Sequence, residues 1–449
     1  MLFGLFSSVE KKTRTAAKQW LEIAVRVYHY QRDRLSEAEL GSLSKATELL
    51  RQRMKEKADT GKLKLAIEDL ESVLKGIGGL HYPKSTLVEW VEFFLVAAIV
   101  ILGIRAYFVQ PFKIPTNSMW PSYNGLTPEV FRTKAEEPNV AEKGLRFLTN
   151  LATQHRVDAP ADGEILIPIS SSTLSPVSKD VPGRSWIIFP EVHRQYYLLV
   201  GNRWVSDKVP SDFDFGWVLR DTFFPGKESF NDVLTRKLSA RDFVERDVTL
   251  PDGGGMRRVQ FLKTGKVVRR GDRVLSYDIL TGDNLFVDRM SYHFVKPEVG
   301  DGFVFRTGSI HVNGDPDYLR RIGAGDGKSL DQYYIKRLAG VPGDKLEIRE
   351  PVLLRNGKPI TGAKAFEKNA NLEGNFGGYV NGQRSGRYPD AILLEGETLT
   401  VPEDSFVALG DNSHNSLDSR YWGFVPAKDV VGRPLFIYYP FTKRWGVAP

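Results

Sequence analysis

Residues 88–109, with the sequence VEWVEFFLVAAIVILGIRAYFV, constrain what this chain can fold into more than any other segment. The uncharged centre, residues 93–104, is 12 residues long, a length that also suits a buried helix of a globular core. With Glu89 and Arg105 near its two ends, however, the whole segment is long enough to cross a bilayer while its charges lie at the interfaces. We therefore expect a single membrane span over residues 87–110, and a core helix is the alternative.

The charges around this segment predict its orientation. Arg105 and Lys113 lie at its far end, and four lysines precede it: Lys62, Lys64, Lys75 and Lys84. By the positive-inside rule, the N-terminal region is expected in the cytoplasm and the chain after residue 110 on the other side. Residues 1–87 carry 16 Lys and Arg against 11 Asp and Glu, which is most of the net charge of +7. The basic excess therefore concerns orientation and makes no case for nucleic acid as a partner.

Residues 1–86 are predicted to form an α-helical cytoplasmic region. Apolar residues recur there at three and four residue spacing, and breaks at 33–39 and 58–61 predict a short helical hairpin. The charges are mixed in sign, which favours a solvated amphipathic bundle over a partner-binding role.

After residue 110 the chain is predicted to be mostly β, because short β-rich runs alternate with Gly-Asp, Pro-Gly and Asn-Gly turns. We expect residues 125–280 to form an inserted module, with a helix around 134–155. Residues 351–400 are predicted to be a second insertion. The module at 125–280 carries no constellation of residues that demands a function.

Composition excludes several kinds of chemistry. The chain has no cysteine, which excludes disulfides, thiolate metal sites and a thiol nucleophile. Its 7 histidines show no ligand spacing within one short segment, so we expect neither a metal nor a cofactor. Any catalysis must then use oxygen or nitrogen groups.

The segment FKIPTNSMWPSY, residues 112–123, follows the apolar segment and fixes one serine between two prolines. Pro115 and Pro121 each stand three residues from Ser118 and restrict the backbone around its hydroxyl. A serine held in this way is a candidate nucleophile. For this segment alone, a linker between a span and a domain is the alternative.

A second segment, QYYIKRLAGVPGDKLEI, places a lysine inside an apolar strand. Because side chains alternate along a strand, Tyr334 and Lys336 are expected on one face and Ile335 and Arg337 on the other. The alternative to a catalytic base is an edge-strand lysine that opposes aggregation.

A third segment, LGDNSHNSLDSRYWGFVP, is dense in polar side chains between apolar stretches. It can be a long turn, or a loop whose Asp, Asn, Ser and Arg side chains satisfy buried polar partners.

Together, and in this order behind an apolar span, the three segments resemble the bacterial type I signal peptidase (leader peptidase) family. The likeness rests on IPTNSMWPSY, YYIKRLAGVPGDKLEI and GDNSHNSLDSRYWGFVP, with GDNLFVDRMSY and VGDGFVFR as central strands, and covers about a third of the chain. It implies a signal-peptidase-like β fold whose catalytic core is assembled from residues 111–124, 281–350 and 401–445.

The resemblance implies that Ser118 is the nucleophile and Lys336 its general base, a dyad that needs neither histidine nor metal. A lysine accepts the serine proton only when it is neutral. Lowering its pKa from about 10.4 to about 8 costs roughly 3 kcal/mol, which burial among apolar side chains must supply.

Further roles follow from the same resemblance. Ser416 is expected to orient Lys336 by a hydrogen bond, and Asp418 to pair with both Arg420 and Arg337 in a structural cluster. The oxyanion hole is expected from the backbone N–H of the nucleophile and the hydroxyl of Thr116.

The implied substrates are signal peptides of exported preproteins, with small residues one and three positions before the cut, bound extended against residues 112–115. The expected pocket residues are Phe112, Ile114, Met119, Tyr123 and Tyr334. Tyr123 departs from the family pattern, because Pro121-Ser122-Tyr123 stands where Pro-Thr-Leu is usual, and its bulk is expected to narrow the pocket.

The implied location is the bacterial inner (plasma) membrane, with a single span and the catalytic domain on the periplasmic or extracytoplasmic side. The lipid bilayer is then a partner, and the translocation machinery a further candidate. One alternative is a catalytically idle relative that acts as a binding or scaffold protein at the export machinery. Another is a self-cleaving repressor-type serine-lysine peptidase, which the sequence disfavours because it has a span and lacks a helix-turn-helix signal.

Overall fold

The computed structural model describes residues 9–449 except 171–173, 186–188, 227–228, 252–254, 311–314, 316 and 323–330. The chain divides into two compact units, Met1–Ile101 and Leu102–Pro449. Its helices are α1 Val9–Gln31, α2 Glu37–Lys55, α3 Thr60–Ile77, α4 Thr86–Tyr107, α5 Val140–Asn150, α6 Phe215–Phe223, α7 Phe230–Ser239, α8 Tyr318–Arg321, α9 Lys364–Ala370 and α10 Ser419–Trp422.

The described residues of the N-terminal helical region form three α-helices, so the predicted hairpin was wrong in helix number although both breaks occur. Ser36 caps α2: its hydroxyl accepts from the Glu39 N–H, and the Glu39 carboxylate accepts from the Ser36 N–H. Asp59 caps α3 by accepting from the Lys62 N–H. Each cap starts a new helix, and the three helices bury one apolar core that includes Ala17, Ala24, Leu43, Leu50, Leu63 and Leu70.

Helix α4 has the length and apolarity of a bilayer span. It runs for 22 residues, and its most apolar 18-residue window has a mean hydropathy of 2.4 and is not buried in the structure. A water-soluble core helix of this composition would bury its large side chains, whereas those of α4 are exposed, as with Phe93, Leu95 and Ile99.

The chain beyond α4 is mostly β, as predicted. Its strands are β1 Val109–Lys113, β2 Thr127–Val130, β3 Thr153–Asp158, β4 Gly163–Ser170, β5 Ser175–Pro176, β6 Ser178–Ser185, β7 Phe189–Val200, β8 Arg203–Pro210, β9 Phe243–Thr249, β10 Met256–Val268, β11 Arg273–Leu280, β12 Asn284–Asp288, β13 Gly302–Arg306, β14 Tyr333–Gly340, β15 Lys345–Arg349, β16 Val352–Arg355, β17 Lys358–Pro359, β18 Leu399–Thr400, β19 Ser405–Leu409, β20 Val425–Pro426, β21 Val430–Tyr439 and β22 Gly446–Val447.

An eight-stranded sheet joins distant parts of the sequence in the order β1-β12-β21-β13-β14-β19-β20, with β22 added to β21. All of its pairings are antiparallel. β1 pairs with β12 from Val109 opposite Asp288 to Lys113 opposite Asn284, across the long stretch of chain that separates them. The sheet therefore brings the end of β1, β14 and the end of β19 into one region.

Residues between β1 and β12 build two further sheets. One has seven strands in the order β6-β7-β4-β10-β9, with β5 beside β4 and β8 beside β7, and the other has the order β2-β11-β3. Their common core includes Val157, Ile165, Leu198, Phe215, Val218 and Leu275. The helix predicted around 134–155 is shorter, because α5 ends at Asn150 and β3 begins at Thr153. The domain boundaries 125–280 and 351–400 stay predictions.

A four-stranded sheet, in the order β17-β16-β15-β18, follows β14. Its apolar side chains share a core with the ends of β14 and β19, including Ala339, Leu346, Leu353, Phe366, Val407 and Leu409. Residues between β17 and β18 are hydrogen-bonded to the polar segment that follows β19, since the Asn369 side-chain amide donates to the Asp411 carbonyl and the Val380 N–H to the Ser413 hydroxyl.

Candidate active site

Ser118 lies in the loop after β1, and the side chain of Asn117 holds that loop. Its Nδ2 donates to the Leu126 carbonyl at 2.8 Å, and its Oδ1 accepts from the Gly125 N–H at 2.9 Å. A Cβ at position 125 would lie 2.3 Å from the carbonyl carbon of Thr116, so the close approach of the two backbones requires Gly125. These contacts fix the backbone path of the loop, in which Ser118 is half-buried.

The backbone of Ser118 is also held by the segment after β19. The Asn412 N–H donates to the Ser118 carbonyl at 3.1 Å. The Asn412 side-chain amide donates to the Asn117 carbonyl at 3.0 Å. Both hydrogen bonds come from one residue, so Asn412 fixes the loop relative to the eight-stranded sheet.

Lys336 on β14 meets Ser118 directly. Its Nζ donates to the Ser118 Oγ at 2.5 Å, and its side chain is 3% exposed. The Nζ also lies 5.8 Å from the centre of the Tyr334 ring, on the same face of the strand. The predicted burial of Lys336 and the predicted division of the strand faces are confirmed.

The surroundings of Lys336 favour its neutral form. Burial lowers the pKa of the Lys336 amine to about 8, because water no longer solvates the charged form. The negative charge of Asp418 opposes this shift, and the positive charge of Arg420 adds to it. At neutral to mildly alkaline pH, a substantial fraction of the amine can therefore accept a proton.

Asp418 and Arg420 form a wholly buried ion pair, each with a side chain that is 0% exposed. The Asp418 carboxylate accepts from the Arg420 Nε at 2.8 Å and Nη2 at 2.9 Å, and from the Gly410 N–H at 2.9 Å. Burial alone would raise the pKa of the Asp418 carboxyl, but Arg420 outweighs burial and lowers it. The Arg420 guanidinium also donates to the carbonyls of Val380 and Ser413.

The predicted pairing of Asp418 with Arg337 was wrong. Arg337 pairs with Asp411 instead, with Nη2 to Oδ2 at 2.5 Å and Nε to Oδ1 at 3.2 Å. Strand alternation points Arg337 to the face opposite Lys336, where the Asp411 carboxylate lies within hydrogen-bond distance. Arg337 with Asp411 and Arg420 with Asp418 therefore form two separate buried ion pairs, whereas one cluster was predicted.

The predicted hydrogen bond from Ser416 to Lys336 is not formed. The Ser416 Oγ is buried and has no hydrogen-bond partner among the described residues. It packs against Gly410, where a Cβ would lie 2.1 Å from the Ser416 Oγ and 2.5 Å from the Ser118 carbonyl oxygen. Ser416 thus borders the dyad, while the Lys336 amine donates to Ser118.

The five predicted pocket residues fall into two apolar clusters. Phe112, Ile114, Met119 and Tyr123 share a cluster with Ile335, whereas Tyr334 packs in another. Met119 and Tyr123 are 0% exposed, and the Tyr123 hydroxyl donates to the Pro449 carbonyl at 2.8 Å. Ile114 is buried in the same cluster, and the pocket role of all three residues stays a prediction.

Phe112 and Tyr334 remain half-buried, and Thr116 is exposed two residues before Ser118. The Phe112 ring meets the exposed Tyr333 ring edge-on at 5.0 Å between centres. These three predicted site residues are therefore accessible to a ligand near the dyad, unlike Met119 and Tyr123.

Sequence reasoning missed the role of Asn117, whereas the interpretation of the third polar segment as a loop that satisfies buried polar partners is confirmed for Asp411 and Asn412. Asn117 directly precedes the serine, and Asp411 and Asn412 form the Gly-Asp-Asn start of the third polar segment. An amide side chain next to a candidate nucleophile carries both a donor and an acceptor, which is a usable signal for a residue that fixes a loop.

Residues 267–439 match the family described as signal peptidase, peptidase S26. A probable signal peptidase I-1 of Synechocystis sp. is 31% identical over 37% of this chain and 66% of that protein. A signal peptidase I of Leptolyngbya laminosa is 30% identical over 37% of this chain and 65% of that protein.

A crystal structure of a signal peptidase I from Enterococcus faecalis aligns at 26% identity, over 31% of this chain and 97% of that chain, with a TM-score of 0.19. The chain thus spans just under two thirds of the length of the two relatives named above. Residues 267–439 include Lys336, Asp418 and Arg420, whereas Ser118 precedes them.

Proposed function

Because residues 267–439 of this chain belong to the signal peptidase family, peptidase S26, we propose that it is a membrane-anchored serine endopeptidase that removes signal peptides from exported preproteins. The observation that carries the proposal is the 2.5 Å hydrogen bond between the Lys336 Nζ and the Ser118 Oγ. It supports Ser118 as the nucleophile and Lys336 as the general base, because the two atoms are within the reach that proton transfer requires.

In the first half of the reaction, neutral Lys336 takes the proton of the Ser118 hydroxyl while the Oγ attacks the scissile carbonyl carbon. A C–O bond forms and the carbonyl oxygen becomes an oxyanion. Collapse of this tetrahedral intermediate breaks the C–N bond, and the Lys336 ammonium gives its proton to the departing amine of the mature protein.

In the second half, Lys336 is neutral again and takes a proton from water as that water attacks the acyl carbon. The Ser118 Oγ leaves and regains its proton from Lys336. The products are a signal peptide with a free carboxylate and the unchanged enzyme, so no cofactor enters the reaction.

The oxyanion is assigned to the backbone N–H of Ser118 and the hydroxyl of Thr116. Thr116 is exposed near the dyad, and the rigid path that Asn117 and Gly125 give the loop supports a preorganised donor pair. The substrate is assigned to an extended position along residues 112–115. Phe112, Ile114, Met119, Tyr123 and Tyr334 stay the proposed pocket residues, for small side chains one and three positions before the cut.

The anchor is assigned to α4, whose 22 residues and exposed apolar surface support a span in the bacterial inner (plasma) membrane. The N-terminal helices then lie in the cytoplasm and the catalytic domain lies on the extracytoplasmic side, by the charge asymmetry of the flanks. The lipid bilayer, the signal peptide and the translocation machinery are the partners that this arrangement implies.

We expect kcat/KM to depend on pH through Lys336. The amine must be neutral to act as a base, so kcat/KM should rise about tenfold per pH unit at acidic pH and level off above the lysine pKa of about 8. Initial cleavage rates measured from pH 6 to 10 check this. A midpoint near 10.4, the value of a solvated lysine, would contradict the proposed base.

The proposed function is tested by cleavage of one purified preprotein by the full chain in detergent. We expect a single cut directly after a small residue, identified by the new N-terminus of the product. A matched substrate with a bulky residue at that position should not be cut. Absence of turnover on preproteins with either type of residue would instead favour the idle binding relative.

A further inference from the structure

Helix α6, in the region between β1 and β12, reaches the two loops that form the candidate active site. Its Phe215, Val218 and Leu219 are buried in the core shared by the two sheets of that region. The spacing of these three places them on one helix face. Trp217 therefore lies on a different face, where it is half-buried and free to contact another part of the chain.

Trp217 contacts the serine loop through Trp120. The two indole rings meet edge-on, with 5.3 Å between their centres and 75° between their planes. Trp120 is only two residues after Ser118, in the short loop that Asn117 shapes. The Arg220 guanidinium lies 5.4 Å from the Trp217 ring centre, which fixes that ring further.

The start of α6 contacts the other loop. Asp214 caps the helix by accepting from the Gly216 N–H at 2.9 Å. Its second oxygen accepts from the Asn415 side-chain amide at 3.3 Å. Asn415 in turn donates its N–H to the Asn412 carbonyl at 2.9 Å, and Asn412 holds the Ser118 carbonyl.

We propose that α6 is a positioning element of the active site, in which Trp217 and Asp214 fix the serine loop and the loop of Asn412 relative to each other. This inference rests on the proposed peptidase function and deepens it. The Ser118 Oγ must stay within reach of the Lys336 Nζ, and a displacement of about 1 Å costs up to about 100-fold in rate. The inserted region then contributes to kcat although none of its residues touches the reacting atoms.

The test compares Trp217→Ala, Trp217→Phe and Trp204→Ala in the full chain. We expect Trp217→Ala to lower kcat by about 10- to 100-fold with KM nearly unchanged, and Trp217→Phe to restore most of kcat by keeping an aromatic edge. Trp204 is the matched control, because it packs 6.0 Å from Phe261 and donates to the Thr249 carbonyl, away from both loops. Trp204→Ala should leave kcat unchanged.

A second measurement does not depend on turnover. In protein labelled with 5-fluorotryptophan, the ¹⁹F line of Trp120 is identified by its loss in Trp120→Phe. Trp217→Ala should shift or broaden that line, and Trp204→Ala should not.

The outcomes separate the two proposals. Suppose that the wild type is active and that Trp217→Ala keeps full kcat or changes only KM. This result would overturn the positioning role and leave the peptidase function intact. An inactive wild type would overturn the peptidase function. In that case an unmoved Trp120 line in Trp217→Ala rejects the positioning of the loop, and a moved line supports it.

Discussion

Replacing Ser118 with alanine is expected to lower the rate of preprotein cleavage by about 10⁴-fold or more while the chain stays folded. The substitution removes the Oγ alone, and no other side chain in the loop offers an oxygen at the Lys336 Nζ. The loop should keep its path, because the Asn412 N–H holds the Ser118 carbonyl and not the side chain. Initial rates and the thermal unfolding of both proteins in detergent check this result.

Lys336→Met should produce a loss of similar size, because methionine keeps a long apolar stem and removes the base. The double variant should be no slower than either single variant, since residues that act as one unit have non-additive effects. Lys345→Met is the matched control: Lys345 lies on β15 with an exposed side chain and should be replaceable without loss. Cleavage retained by Ser118→Ala or Lys336→Met would assign the chemistry to other residues.

Removal of the Arg420 guanidinium is expected to cost about 3–5 kcal/mol of folding free energy, because Arg420→Met leaves the Asp418 carboxylate buried and unpaired. Several buried carbonyls also lose their donor, including that of Ser413 at 2.7 Å. For a domain of this size, the midpoint of thermal unfolding should fall by roughly 6–20 °C. Arg306→Met is the matched control, because the Arg306 and Asp331 side chains of that ion pair are 52% and 39% exposed.

If the Arg420→Met variant folds, the pH dependence of its cleavage rate should also change. The positive charge of Arg420 lowers the pKa of Lys336, and the negative charge of Asp418 raises it. Without Arg420 the lysine pKa should rise above about 8, and the acidic limb of the pH profile should move to higher pH. A stable Arg420→Met protein with an unchanged profile would contradict the coupling of this buried pair to the base.

Much of the β core around Lys336 could be predicted from the sequence, because the patterns that indicate its strands are local. Strand alternation separated Lys336 from Arg337, and the apolar composition around Lys336 predicted its burial. The strands at 302–306, 333–340, 345–349 and 405–409 follow runs of β-branched and aromatic residues between turn signals. The helical region was predicted by apolar spacing, but the caps at Ser36 and Asp59 were not used to count its helices.

The errors concern contacts between distant segments. Asp411 and Asp418 lie in one polar segment, and only the turn between them decides which carboxylate meets Arg337. The resemblance implies a pocket position for Tyr123, and it does not predict that the Tyr123 hydroxyl donates to the carbonyl of Pro449, 326 residues away. Spacing along the chain carries no information on such packing, since it depends on how the sheets meet.

The hydrogen bonds of Asn412 join the serine loop to a segment that is synthesised much later. The side chain of Asn412 reaches back across 295 positions to the Asn117 carbonyl. Contacts of such long range form late, since the loop-closure entropy of the intervening chain must first be overcome. During its own synthesis the nascent polypeptide therefore has a serine but no assembled nucleophile. We expect it to be inert toward neighbouring chains until the segment after β19 has folded.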